Sequence, residues 1–323
     1  MDSNSCADII RYVIFFSVKD LFIFDVKKNK DFGSSFVVIV SFKSFHLIEK
    51  HIRLIENKHQ IIIVENSLDK KLKEKLEKLY NNVEVIIPEN NLGYGTALNL
   101  GIKQSKNNFV FCMVTDLNIS KECFSQISNI INQFKDFSIL SPTYFDESVF
   151  KNYAIHNKKT TDLKKRTVSN FILKEVDEID GAVLLINKEK FNSFDIMDEK
   201  FFLYFESTDL CFRLRKNNQK LYVVENLKFE HFGTQSSHVS FKKQILICRN
   251  WHYCWSKFYF YKKHYNYFFA FKRTLPNLVR SIKLCIYYKF KGDDYNFQLH
   301  KSELSGLINA YSLKSSFYRP SID

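Results

Sequence analysis

The chain has 323 residues, of which 45% are hydrophobic and 16% aromatic, so it can bury a large core and is not a disordered chain. Its formal net charge of +13 indicates an anionic partner, which could be nucleic acid, an acidic lipid surface or a phosphorylated small molecule. The seven cysteines never form a CxxC pair, which argues against a disulfide framework or a zinc site and predicts a reducing cytoplasm.

The first apolar run of the chain is IIRYVIFFSVKDLFIFDV. Arg11, Lys19 and Asp20 interrupt it well before the roughly 18 apolar residues that a membrane span needs. The run also lacks the basic start and small-residue cleavage site of a secretory signal. Residues 1–34 are therefore predicted to be an accessory segment, either a strand or a pair of helices.

From residue 35 onward, short apolar runs alternate with amphipathic stretches. The predicted strands are FVVIVSF, QIIIVEN, VEVII and FVFCMV, and the predicted helices between them include SFHLIEKHIRLIEN and LDKKLKEKLEKLY. Strands that are almost wholly apolar are typical of a parallel sheet buried on both faces. We therefore predict an α/β fold, with a mainly parallel, Rossmann-like sheet flanked by helices. The polar residues 151–170 show no periodicity and are predicted to form a mobile loop.

Polar side chains follow these predicted strands, at the sheet edge where α/β proteins bind their ligands. They are Ser41, Glu65, Asn66, Asn90, Asn91 and Asp116. The third of these strand ends leads into ENNLGYGTALNLG, in which Gly93 and Gly95 precede a predicted helix. Exposed amides and the helix dipole favour a phosphate at such a loop, although a plain turn is the alternative.

The glycine loop does not fit the common nucleotide motifs. Leu98 stands where the dinucleotide fingerprint GxGxxG needs its last glycine, and the chain has no GxxxxGK[ST] loop. Instead, residues 90–101 resemble the NNxGxxxAxNxG signature of inverting family-two glycosyltransferases with the GT-A fold, in the rhamnosyltransferase-like branch. The resemblance extends through MVTDLN, IDGAVLLINKEKF, FFLYFESTDLCFRLRK and EHFGTQSS.

This resemblance implies a GT-A domain over residues 35–240 that takes a sugar from a nucleotide-diphosphate donor. The acceptor would be a glycan or a lipid-linked hydroxyl in bacterial surface polysaccharide synthesis. The positions that match the family's donor site are Ser41, Glu65, Asn66, Asn91, Gly93, Gly95 and Asp116. A bulky residue at Gly95 would then weaken donor binding and leave the fold intact.

The resemblance also implies a divalent cation, Mn²⁺ or Mg²⁺, held by Asp116 and His231 beside the donor diphosphate. Val114 and Thr115 depart from the family pattern next to that aspartate, and metal dependence is still the expectation. The alternatives that do not involve a metal are a helix cap at Asp116 and a packed, hydrogen-bonded imidazole at His231.

Inverting transfer needs a base that removes the proton of the acceptor hydroxyl. Glu206 and Asp209 match the family's FEDxDLxxR segment, but Ser207 replaces the second acid, which in relatives is often the candidate base. We therefore predict Glu206 as the base and Asp209 as the residue that holds the helix start, with Arg213 as an ion-pair partner or phosphate contact. The same departure keeps open a non-catalytic relative.

The acceptor side is predicted from IDGAVLLINKEKF, which resembles the family's TGAxxLIRR motif. By this resemblance Asp180 and Gly181 lie at the acceptor sugar, and an ordinary acid at the start of a strand is the alternative at Asp180.

Residues 241–323 are aromatic and basic and are predicted to be mostly helical, with Tyr and Phe on one face and Lys and Arg on the other. We predict peripheral contact with the acidic inner face of the cell membrane, and a packing subdomain is the alternative. A nucleic-acid-binding module is a second hypothesis for the same composition. The chain has no RNP-like, zinc or helix-turn-helix motif that would support it.

Overall fold

The computed structural model describes residues 36–55, 59–144, 151–156, 165–191, 196–231 and 238–320. The predicted accessory segment, 1–34, lies outside these residues. The strands are β1 (Phe36–Ser41), β2 (Gln60–Glu65), β3 (Val83–Ile86), β4 (Phe109–Val114), β5 (Leu117–Asn118), β6 (Ile139–Tyr144), β7 (Tyr153–Ala154), β8 (Lys165–Val168), β9 (Phe171–Val176), β10 (Glu178–Ile179), β11 (Val183–Asn187) and β12 (Leu221–His231). The helices are α1 (Phe45–Leu54), α2 (Lys70–Leu79), α3 (Tyr94–Gln104), α4 (Lys121–Gln133), α5 (Glu206–Lys216), α6 (Lys242–His264), α7 (Tyr267–Lys291) and α8 (Asp294–Tyr311).

One large sheet runs in the order β3-β2-β1-β4-β11-β6-β12-β9-β8, and β5 pairs with β12 beside it. Strands β3, β2, β1 and β4 are parallel to one another, and β12 is parallel to β6. Strands β11 and β9 run against the other strands of this order, and β5 is antiparallel to β12. The predicted mainly parallel sheet with flanking helices is confirmed. The reversed direction of β11 was not predicted, because its apolar run is as continuous as those of the parallel strands. Strand β9 is not among the predicted strands, and its sequence FILKEV contains Lys174 and Glu175.

Alternate residues of the central strands face two different cores. Val37 and Ile39 of β1 belong to a core that also contains buried residues of α1, α2 and α4. Val38 and Val40 belong to a second core with buried residues of α3 and α5. Helix α3 lies so close to the sheet that a Cβ added at Gly101 would stand 2.4 Å from Cγ1 of Val38. The sheet is thus covered by helices on both faces, as its apolar strands require.

The region after the sheet is helical, as predicted. Helices α6, α7 and α8 enclose a small core of their own, made of Trp251, Trp255, Phe258, Ala270 and Ala310. Residues 34–323 nevertheless form one compact unit, so these helices are part of the same body as the sheet. Within the part of the chain that the structure describes, no helix is both long and apolar enough to cross a membrane.

The polar segment 151–170 is not simply a loop. Its described residues include strand β7, which pairs with β10 in a separate two-stranded sheet, and strand β8, which forms the edge of the large sheet. Strand β8 has the sequence KRTV, and its first three residues are exposed. An edge strand has a solvent-exposed side, so it needs no apolar periodicity, and this explains why the sequence did not reveal it.

Candidate active site

A cleft of about 470 Å³ lies at the carboxyl ends of β1, β2, β4 and β12, the edge that the strand pattern indicated. The start of α5 and one side of α6 complete its wall. The predicted site residues that line it are Asn66, Asn91, Gly93, Asp116, Asp180, Gly181, Glu206 and His231. The other predicted residues, Ser41, Glu65, Gly95 and Asp209, do not line it.

Three polar side chains of the cleft and the buried residue Tyr144 form a continuous series of contacts. Nε2 of His231 lies 3.3 Å from Oδ1 of Asp116, and Nδ1 of His231 lies 2.9 Å from the hydroxyl of Tyr144. That hydroxyl donates a hydrogen bond of 2.9 Å to Oδ2 of Asp180. Burial raises the pKa of Asp180 above its usual range, and hydrogen bonds from Ala182 and Tyr144 oppose this rise. This series of side-chain contacts links the predicted diphosphate side of the cleft to the predicted acceptor side.

The hydroxyl of Tyr144 also fixes the orientation of the imidazole. A hydroxyl has one proton, so when it donates to Asp180 its oxygen can only accept from Nδ1–H of His231. A neutral imidazole then has its lone pair at Nε2, the atom that faces Asp116. Metal-binding histidines commonly donate their other ring N–H to a neighbour in this way.

Asp116 and His231 therefore fit a divalent cation that has two protein ligands. Mg²⁺ and related cations are often held by one or two side chains together with phosphate oxygens of a substrate. The described residues contain no group of three or more His, Cys, Asp or Glu that could hold a metal ion. The pair thus suits a cation whose other ligands come from a bound diphosphate.

Glu206 stands at the first position of α5 and is only 6% exposed, although it lines the cleft. Burial raises the pKa of its carboxyl to about 7. Its Oε2 atom has no hydrogen-bond partner among the described residues. The two residues before it, Tyr204 and Phe205, both have φ of 67°, which is unusual for bulky side chains. A strained turn of this kind is often found at functional sites.

The glycine loop is tied to the chain segment that precedes α5. The side chain of Asn66 donates a 2.8 Å hydrogen bond to the carbonyl of Gly93, and Oδ1 of Asn91 accepts one of 3.0 Å from its amide. The next amide, of Tyr94, donates 2.9 Å to the carbonyl of Phe202. A Cβ added at Gly93 would stand 2.1 Å from that same carbonyl oxygen. Glycine is needed here for close approach of two backbones.

Replacing Gly93 with Ala is expected to lower the free energy of unfolding by about 2 kcal/mol or more, because it adds both a clash and a strained positive φ. Gly292→Ala is the matched control, since that glycine has φ of 71° but no atom within 4 Å of an added Cβ. Urea unfolding of both variants measures the difference. Equal losses in the two variants would show that the contact with Phe202 is unimportant.

Gly95 has a packing role rather than a place in the cleft wall. A Cβ added there would lie 3.1 Å from Cβ of Met197 and 3.3 Å from Cβ of Glu206. Asn99, one turn later, bonds both the amide and the carbonyl of Met197, each at 2.9 Å. A bulky residue at Gly95 would therefore disturb the packing of α3 against Glu206, so the expectation that the fold stays intact does not hold.

Ser41 and Glu65 are fully buried at the ends of β1 and β2, where they are paired across the sheet. The carboxyl of Glu65 accepts a 2.8 Å hydrogen bond from the amide of Ser67. Burial raises the pKa of Glu65, while hydrogen bonds from Ser67 oppose this rise. Both residues adjoin the cleft through Asn66, and their contact with a donor remains a prediction.

Asp209 is fully buried and is surrounded by basic side chains. Its Oδ2 accepts a 2.8 Å hydrogen bond from Nε of Arg213, one turn along the same helix. Its Oδ1 lies 2.6 Å from Nζ of Lys263 and 2.7 Å from Nε2 of His264, at the end of α6. These contacts join α5 to α6 and leave Asp209 outside the cleft.

Two residues of the site were not predicted from the sequence: Tyr144 contacts two cleft side chains, and Arg249 lines the cleft. Tyr144 ends strand β6, so the rule that identified the other strand ends would have found it had that strand been recognised. Arg249 comes from α6, and its Nε donates a 2.5 Å hydrogen bond to the hydroxyl of Tyr204. No local pattern marks Arg249, because the folding of α6 against the start of α5 brings it there.

Comparison with known proteins agrees with the fold. Residues 36–194 match the model of the family Glycosyl transferase family 2. The chain is 25% identical over 195 residues to the low-salt glycan biosynthesis hexosyltransferase Agl10 of Haloferax volcanii, a match that covers 56% of this chain and 62% of that protein. It is 24% identical over 184 residues to the dTDP-rhamnosyl transferase RfbF of Shigella flexneri, covering 55% of this chain and 61% of that protein. The matches thus span less than two thirds of either relative.

Among solved structures, the fold resembles the mannosyltransferase PcManGT from Pyrobaculum calidifontis in complex with GDP-Man and Mn²⁺. The TM-score is 0.50 at 9% sequence identity, over 88% of this chain and 90% of that one. At this identity the similarity concerns the fold alone, and that fold is GT-A. Together with the family match, it shows that the chain carries a glycosyl transferase family 2 domain with the GT-A fold.

Proposed function

We propose that the protein is an inverting glycosyltransferase that moves a hexosyl or deoxyhexosyl group from a nucleotide-diphosphate donor to a hydroxyl of a glycan or lipid-linked acceptor. The observation that carries the proposal is the arrangement of the cleft, in which a buried carboxyl with a pKa of about 7 shares one cavity with an aspartate and histidine pair. The names of the two relatives, a hexosyltransferase and a dTDP-rhamnosyl transferase, support the class of donor.

In this proposal residues 35–240 are the catalytic domain and residues 241–323 complete its cleft through α6. The work of the enzyme would be the synthesis of a bacterial surface polysaccharide at the inner face of the cell membrane. The glycan biosynthesis named for the relative from Haloferax volcanii supports a glycan product.

The donor would be bound by the strand-end residues. Asn66 and Asn91 lie on the cleft wall beside the glycine loop, where their amide groups can bond the nucleoside. Asp116 and His231 would hold Mn²⁺ or Mg²⁺ against the two phosphates. When bound, the cation neutralises charge that develops on the leaving diphosphate.

Glu206 would be the base, in the place of the acid that Ser207 has replaced. Its carboxylate accepts the proton of the acceptor hydroxyl as that oxygen attacks the anomeric carbon. The bond from the anomeric carbon to the diphosphate oxygen breaks on the opposite face, and the nucleoside diphosphate leaves with the bonding electrons. Asp180 and Gly181, on the same cleft wall, would contact the acceptor sugar.

The direct test is release of nucleoside diphosphate by the purified protein across a panel of nucleotide sugars, with Mn²⁺, Mg²⁺ or a chelator. We expect release with one donor, dependent on the metal. Asp116→Ala is expected to weaken metal-dependent donor binding about tenfold to a hundredfold, the value of one or two charge-assisted contacts. Calorimetric titration with the donor measures this loss, and unchanged affinity in the variant would contradict the assignment of Asp116.

Arg249 would contact the donor diphosphate, because it is the one Arg or Lys among the described residues that line the cleft. Its planar fork suits phosphate oxygens, and a charge-assisted hydrogen bond is worth about 1.5–3 kcal/mol. Arg249→Ala is therefore expected to raise the Kd for the nucleoside diphosphate about tenfold to a hundredfold. Arg249→Lys, which keeps the charge without the fork, should lie between. If both variants bind like the wild type, Arg249 does not contact the diphosphate.

The two alternatives give different results in the same assays. A non-catalytic relative would bind a nucleotide sugar and release nothing even with acceptor present. A nucleic-acid-binding module would bind RNA or DNA with a steep salt dependence that Asp116→Ala does not change.

A further inference from the structure

Helix α7 has two contrasting sides. One side packs into the body of the protein through four buried residues, Ala270, Thr274, Ser281 and Cys285. The opposite side carries six apolar side chains that are between 39% and 88% exposed, at intervals of three, four or seven residues. They are Phe268, Leu275, Val279, Ile282, Ile286 and Phe290. These six form the outer face of α7, a continuous apolar stripe along the helix.

Basic side chains surround this outer face. Helix α7 contains no Asp or Glu in its 25 residues. Lys272, Lys283, Lys289 and Lys291 are all exposed. Lys272 and Lys283 lie beside the stripe, within its length, rather than only at its ends. A helix with this pattern can bury the apolar stripe to a shallow depth while its ammonium groups remain at the level of the lipid headgroups.

We propose that the outer face of α7 docks the protein on an anionic lipid bilayer, with the helix lying in the plane of the membrane surface. The charge pattern favours this occupant over a second copy of the chain. A twofold contact through the same face would bring the lysines of both copies together without any acid of α7 between them. An anionic bilayer surface supplies both the apolar layer and the opposite charge.

Docking through α7 would also bring the cleft close to the bilayer. Helix α7 packs against α6, and α6 contributes Ile245, Arg249 and Tyr253 to the cleft wall. A lipid-linked acceptor held in the same bilayer would therefore meet the cleft within a short distance. The docking surface depends on the proposed function for its purpose, but its test does not depend on activity.

The test is sedimentation of the full chain with vesicles of phosphatidylcholine alone and of phosphatidylcholine with phosphatidylglycerol. We expect binding to the anionic vesicles that weakens with salt. The double variant Ile282→Glu/Ile286→Glu should lower the partition coefficient at least about tenfold. Leu79→Glu is the matched control, because it also replaces an exposed apolar side chain with an acidic one. Leu79 lies on α2 and is 58% exposed. Lys272→Gln/Lys283→Gln should lower binding and reduce its salt dependence.

Circular dichroism and nucleoside diphosphate binding show whether each variant is folded. Loss of vesicle binding with donor binding intact supports the docking surface. Failure of the wild type to bind anionic vesicles overturns it, whether or not the protein transfers a sugar. A wild-type dimer that the Ile282→Glu/Ile286→Glu variant converts to a monomer also overturns it, since the face would then join two copies.

Discussion

Replacing Glu206 with Gln is expected to lower the rate of sugar transfer about 10²–10⁴-fold, the usual contribution of a general base. Gln has the same shape and keeps the packing against Gly95, so donor binding and stability should change little. The comparison to make is kcat with donor and acceptor saturating, beside the Kd of the donor from calorimetry. Glu122→Gln is the control, because Glu122 also lies in the first turn of a helix but is exposed.

The same residue predicts the pH profile. Burial raises the pKa of Glu206 to about 7, so below that pH the carboxyl is protonated and cannot accept a proton. The rate should therefore rise with pH through about 7 and level off above it. The Glu206→Gln variant should retain a low rate without this step. A wild-type rate in the variant, or an unchanged step near pH 7, would mean that another group is the base.

The sequence predicted the edge of the sheet where the cleft lies better than it predicted individual contacts. Strands β1, β2 and β4 are marked by continuous apolar runs, and Asn66 and Asp116 follow within two residues of β2 and β4. Both lie in the cleft because the parallel strands all end at one edge. Arg249 could not be predicted in this way, because its position depends on how α6 packs against the start of α5.

The two acids of α5 show that sequence spacing alone does not predict which of them lines the cleft. Glu206 and Asp209 are three residues apart, which places them on neighbouring parts of one helix surface. The strained turn at Tyr204 and Phe205 sets the direction of the helix, so that the first acid lines the cleft. The second meets the basic end of α6 instead. That partner lies more than 50 positions away in the chain, and no local pattern indicates it.

The residues of the NNxGxxxAxNxG signature, 90–101, likewise have two different roles. Asn91, Gly93 and Gly95 were predicted to bind the donor, and of these Asn91 and Gly93 line the cleft. Gly95, Asn99 and Gly101 instead fit α3 to the sheet and to Met197. A motif can therefore indicate a family while many of its residues serve packing, and only the contacts of each residue separate the two roles.

Replacing Asp209 with Asn is expected to lower the free energy of unfolding by about 3–5 kcal/mol, the cost of removing one partner from a buried ion pair. Asp209 is fully buried, and the change leaves Arg213 and Lys263 without the carboxylate that they share. Asp136→Asn is the control, because that side chain is 58% exposed and its pairs with two lysines are on the surface. Surface pairs contribute about 0–1 kcal/mol, so urea unfolding should separate the two variants clearly.

The activity of the same variant tests whether Asp209 is a base or a residue that positions α5. If it positions the helix, the rate per folded molecule of Asp209→Asn should fall less than that of Glu206→Gln, and the step near pH 7 should remain, because Glu206 still titrates there. A loss of the pH step with normal stability would assign proton transfer to Asp209. The burial of Asp209 outside the cleft wall and its contacts with three basic side chains favour the first result, since this carboxylate does not reach an acceptor bound in the cleft.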